Sequence, residues 1–97
     1  MNKSFKTWEE VEKELNITPE QEAEIQLEMD IIKATVEARK KRGFTQRELS
    51  EKSGVKQPII ARIEKNVNSP QVSTLMKLLY SMGYTLKVVP LEDIKNK

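Results

Sequence analysis

The sequence predicts a mainly α-helical fold with one β-strand near its C-terminal end. Three observations carry that prediction. Capping-box tetrads begin at Thr7, Thr18 and Thr45, each opening a run with apolar residues at helical spacing. Gly43, Gly54 and Gly83 stand where helical runs stop. A single run, Tyr84 to Pro90, alternates and is rich in β-formers. With 97 residues the chain has room for one domain around one modest core, and none for a separate catalytic or effector-binding domain.

Thr7-Trp8-Glu9-Glu10 opens a short helix over about residues 8 to 15, whose Trp8, Val11 and Leu15 form a narrow apolar stripe in need of cover. Thr18-Pro19-Glu20-Gln21 caps a second helix that meets no breaker before Gly43. Along it Ile25, Met29, Ile32 and Val36 fall on one side, and Leu27, Ile31, Ala34 and Ala38 on nearly the opposite side. A helix apolar on two sides needs covering twice. The side ending in Ala38 is expected to face the core of the following domain, and the other the N-terminal helix, a second subunit or a partner protein. Arg39, Lys40, Lys41 and Arg42 precede Gly43; their charge suits the negative end of the helix dipole and equally suits phosphate contact.

Composition removes much chemistry. With no His and no Cys, zinc clusters and histidine-based triads are excluded, so no enzyme, metal or cofactor is expected. No apolar run approaches bilayer length, residues 1–15 show no secretory signal, and the absence of cysteine fits the cytoplasm. The net charge of +2 is unevenly spread: residues 1–30 carry three Lys against nine Asp or Glu, net −6, whereas residues 31–67 carry ten basic and four acidic residues, net +6. The middle of the chain suits phosphate and the front would be repelled by it.

Thr45-Gln46-Arg47-Glu48 opens a helix with Leu49 inward that ends at Gly54; Val55 anchors a turn; a second short helix runs from about Gln57 to Lys65 with Ile60 and Ile63 inward. Two short helices around a glycine turn make a helix-turn-helix unit. Ala38-Arg39, Gly43, Thr45-Gln46-x-x-Leu49, Gly54-Val55, Gln57-Pro58 and Ile60-x-Arg62-Ile63-Glu64 together resemble the lambda-repressor-like, or Xre-type, family. The resemblance implies a helical bundle over residues 31–83 whose helix from Gln57 reads base edges in the major groove.

It also implies roles. Gln57 has the amide to bond adenine bidentately, Lys56 reaches a guanine edge or a phosphate, and Ile59 and Arg62 offer a thymine-methyl contact and a donor fork. Gln46 and Arg47 sit where the family grips the backbone. Asn66 and Asn68 are phosphate candidates, although turn chemistry explains asparagines equally well. The family pairs the residues matching Arg39 and Glu64 as a structural ion pair. Lys56 and Ile59 depart from the family's usual small cap and polar residue.

Ser69-Pro70-Gln71-Val72 starts a further helix with Leu75, Leu78, Leu79 and Met82 as its core stripe. The strand over residues 84–90 has no mate elsewhere in the chain, which points to pairing with the same strand of a second copy through Tyr84, Leu86 and Val88. Residues 91–97 read as a polar tail.

An acidic helical extension, residues 1–30, before such a domain, with a Gly-x-x-Leu-x-Val-x-Pro strand after it, resembles the HigA-type antitoxins of type II toxin–antitoxin systems. That resemblance implies a homodimer, and a heterotetramer with toxin, that represses its own operon on double-stranded operator DNA and neutralises a basic RelE/HigB-like messenger ribonuclease. Phe5, Trp8, Val11 and Leu15 would hold the toxin. A stand-alone repressor without a toxin is the alternative; an adaptor that has lost DNA binding fits Gln57, Arg62 and the basic middle less well.

Overall fold

A computed structural model describes residues 7, 10, 16–67 and 69–92. Within them lie helices α1 (Pro19–Arg42), α2 (Gln46–Ser53), α3 (Gln57–Glu64) and α4 (Val72–Ser81). The expected helix at 8–15, with Phe5, Trp8, Val11 and Leu15, lies outside the described residues, as do Asn68 and residues 93–97. Thr7 and Glu10 do exchange the two bonds of a capping box, at 2.9 and 3.2 Å.

Each long-range placement begins with local chemistry. Thr18 and Thr45 accept from the amides of Gln21 and Glu48, whose side chains accept in return from the cap amides, so α1 and α2 start with their orphan N–H groups partly satisfied. Three of the helices end alike. Phe44, Val67 and Tyr84 donate back to the carbonyls of Arg39, Arg62 and Leu79, across left-handed residues Gly43, Asn66 and Gly83. At Gly83 the backbone has a second demand: a Cβ there would sit 3.1 Å from Arg42 Nη2. Gly54, at φ +80°, ends α2 in open space and turns the chain into α3.

The helices close around Leu49, Ile60 and Leu78, the most deeply buried large side chains. α2 packs on α3 and α4, and α1 crosses the same two helices. Ile63, Leu75, Leu79 and Met82 complete the core from α3 and α4.

The structure corrects one expectation and gives no support, within one chain, to a second. First, α1 does not turn its Ala38 side alone to the core: Ile32, Thr35 and Ala38 are all buried, drawing on both sequence stripes. The centre of the buried face is Thr35, 2% exposed, which escapes a search for apolar periodicity. Its hydroxyl donates to the Ile31 carbonyl at 2.8 Å, so the polar group is satisfied within the helix and only its methyl meets the core. Second, residues 84–90, with Tyr84, Leu86 and Val88, form no strand among the described residues. A strand requires a ladder, and the single chain supplies no partner for one.

Ile60→Ala should cost about 2–5 kcal/mol of stability, because Ile60 is wholly buried at the meeting point of α2, α3 and α4. Urea unfolding followed by circular dichroism measures it; a loss below ~1 kcal/mol would show that the core relaxes around the missing atoms.

Candidate nucleic-acid interface

The turn between α2 and α3 sets the exposure of α3. Val55 is buried, and its amide donates to Ser53 Oγ at 3.1 Å. α3 then buries Ile60 and Ile63 and leaves Lys56, Gln57, Ile59 and Arg62 exposed. Four side chains named from sequence are thus all open to solvent, with amide and guanidinium donors among them. Lys56, at the cap position, makes no side-chain cap bond, so its ammonium is not spent on holding the helix. Ile59 is 42% exposed, an apolar side chain on a polar face.

Arg47 lies at the second position of α2 and, among the described residues, pairs with Glu51 at 3.7 Å, both side chains well exposed. Such a surface pair contributes at most about 1 kcal/mol, so the guanidinium can leave it for a stronger anion. Gln46 is placed differently. Its Nε2 donates to Glu64 Oε1 at 2.9 Å, turning it toward the inside of the domain. Asn66, at φ +57°, is the left-handed residue that closes α3, which gives it a turn role visible in the backbone.

Behind the exposed face sits a polar knot. Arg39 Nε and Nη2 donate to the two carboxylate oxygens of Glu64 at 2.7 and 3.0 Å, and Nη1 donates to the Phe44 carbonyl at 2.8 Å. Both side chains are nearly buried, at 13% and 11% exposure. Burial pushes the Glu64 carboxyl up. The bonds from Arg39 and Gln46, with the charges of Arg39 and Lys40, outweigh it and hold the group below the ordinary carboxylate value. The parts of this knot that sequence reasoning missed are Gln46 and the Phe44 carbonyl. Neither carries a pattern of its own; both are brought in by the corner after Gly43.

The remaining basic residues of α1, Lys33, Lys40, Lys41 and Arg42, are all exposed, and Arg42 lies over the Tyr84 ring, 5.3 Å from its centroid. Among the described residues no group of three or more carboxylates is placed to hold a metal ion.

A family model for a helix-turn-helix matches residues 37–88, which include the corner, α2, α3 and α4. A protein of Haemophilus influenzae described as an uncharacterized HTH-type transcriptional regulator is 44% identical over 89 residues, covering 92% of this chain and 89% of that protein. A solved toxin–antitoxin module from Streptococcus pneumoniae superposes with a TM-score of 0.64 at 41% identity, covering 90% of this chain and 96% of that one.

Because the folded pKa of Glu64 lies below its unfolded value of about 4.3, its contribution to stability is complete above that pH and is lost as pH falls through the folded pKa. Glu64→Gln should cost about 3 kcal/mol at neutral pH, by leaving Arg39 buried without its counter-charge. It should also flatten the acid limb of the stability curve. Urea unfolding of both forms from neutral to acid pH tests this, and identical acid limbs would contradict it.

Proposed function

The chain belongs to the helix-turn-helix family, and from that premise we propose that it is the DNA-binding antitoxin of a bacterial toxin–antitoxin pair, repressing its own operon and neutralising a basic RelE/HigB-like toxin. The observation that carries this reading is the likeness to the Streptococcus pneumoniae toxin–antitoxin module, which extends over 90% of this chain rather than the helix-turn-helix alone. Similarity to the Haemophilus influenzae regulator supports the alternative of a stand-alone repressor. The two share the DNA step.

In that step α3 enters the major groove. Gln57 bonds an adenine edge, Lys56 and Arg62 reach guanine or phosphate, and Ile59 meets a thymine methyl. Arg47 gives up its weak bond to Glu51 for a backbone phosphate. Gln46 supports the face from behind through Glu64 and, if it touches DNA, must first release that carboxylate.

Two reading helices are needed for a palindromic operator, hence a homodimer. The outer face of α4 is suited to it: Val72, Met76 and Tyr80, at i, i+4 and i+8, are 62, 53 and 85% exposed. Tyr84, Leu86 and Val88 follow directly, and Val88 is 98% exposed. A second copy would supply the missing ladder for residues 84–90 and cover this face at the same time.

Gln57→Ala should weaken operator binding by about 1–3 kcal/mol and relax one base position, whereas Arg47→Ala should weaken operator and random DNA alike. Titrations against both DNAs decide it; equal losses on both for Gln57→Ala would remove its base-reading role. Co-expression with the protein encoded beside the gene, read by light scattering and growth rescue, separates antitoxin from stand-alone repressor.

A further inference from the structure

α1 reaches well beyond the core it packs against. Its first buried residue is Ile32, and every residue from Pro19 to Leu27 is exposed. The stretch Pro19 to Asp30 is therefore an arm about 18 Å long at ~1.5 Å per residue. It contains Glu20, Glu22, Glu24, Glu28 and Asp30 and no Lys or Arg. On this charged arm Leu27 is 57% exposed.

Leu27 begins an apolar line that continues through Ile31 and Ala34 to Ala38 at i+4 and i+3 steps. Below Leu27 the line borders a groove of about 440 Å³, walled on the other side by Leu79, Tyr84 and Leu86 and flanked by the exposed Asp30 and Glu37, with Lys41 at its far end. Neither α2 nor α3 contributes to its lining.

We infer that this groove, with the exposed Leu27 one turn further along the same line of α1, is the docking surface for the basic protein partner: an apolar side chain of the partner fills it, and Lys or Arg side chains meet Glu24, Asp30 and Glu37. The inference rests on the antitoxin reading and assigns its protein-binding step to a surface distinct from the N-terminal Trp8 stripe. The charge of the arm, which has no Lys or Arg between Pro19 and Asp30, selects the occupant. DNA is repelled by the arm, and a second copy seated in the groove would bring acidic arm against acidic arm. The second copy therefore takes the outer face of α4 and the backbone edge of residues 84–90, while the side chains of Tyr84 and Leu86 wall the groove. Because the groove avoids α3, an occupant leaves Gln57 and Arg62 free, so the pair can hold toxin and operator together.

The test uses the full chain co-expressed with the protein encoded beside its gene. Ala34→Arg fills the groove with bulk and positive charge at an exposed helix position, and Ile25→Lys places the same charge on the opposite side of the arm. Ala34→Arg should weaken the complex by about thirtyfold or more while leaving the operator shift and helical content unchanged. Ile25→Lys should weaken it much less. Equal affinity of Ala34→Arg and wild type, or a larger loss from Ile25→Lys, overturns the groove assignment while the antitoxin reading stands. A wild-type chain that forms no complex overturns both. Loss of self-association by Ala34→Arg in the chain alone would make a second copy the occupant and overturn the inference.

Discussion

The guanidinium of Arg39 is the fixed point about which the rest of the domain is arranged. One side chain from α1 reaches both oxygens of Glu64 at the end of α3 and the carbonyl of Phe44 at the corner between α1 and α2. Glu64 in turn receives Gln46 from the first turn of α2. Desolvating such a pair offsets most of its Coulomb gain, so its contribution lies less in net stability than in geometry. A planar fork bound through all three of its nitrogens narrows the angle between α3 and the helices behind it.

That constraint has a functional consequence. The exposed face of α3 is short, and base edges are read at hydrogen-bond distances, so under the proposed function small rotations of the helix would move Gln57 and Arg62 out of range. Tying the far end of α3 through Glu64 while Ile60 and Ile63 anchor its middle leaves the N-terminal tip as the presented end. The basic residues of α1 are used unequally: Arg39 is consumed by the knot, Arg42 lies over Tyr84 while still exposed, and Lys33, Lys40 and Lys41 are exposed. A cluster that looks uniform in sequence has divided labour in space.

Two sets of interactions face opposite directions in this chain. The helix-turn-helix presents positive and amide-bearing groups, while the arm of α1 presents carboxylates around apolar residues that the domain does not cover. Under the proposed function, opposite charge on the two surfaces keeps each from competing for the other's partner. α1, continuous from one to the other, joins them rigidly.

Sequence by itself determined the local beginnings and ends. Capping at Thr18 and Thr45, the left-handed stops at Gly43 and Gly54, and the inward periodicity of Ile60 and Ile63 depend on neighbours a few residues away, which a sequence displays directly. Tertiary structure alone decided what depends on distant partners. Thr35 belongs to the core because its hydroxyl is satisfied by Ile31 and its methyl by packing, and no periodicity of apolar residues marks it. Gln46 is drawn to Glu64 because the Gly43 corner brings α2 beneath the end of α3. Residues 84–90 have the composition of a strand but, within one chain, no ladder, since backbone pairing is a property of two segments and the sequence of one cannot supply it.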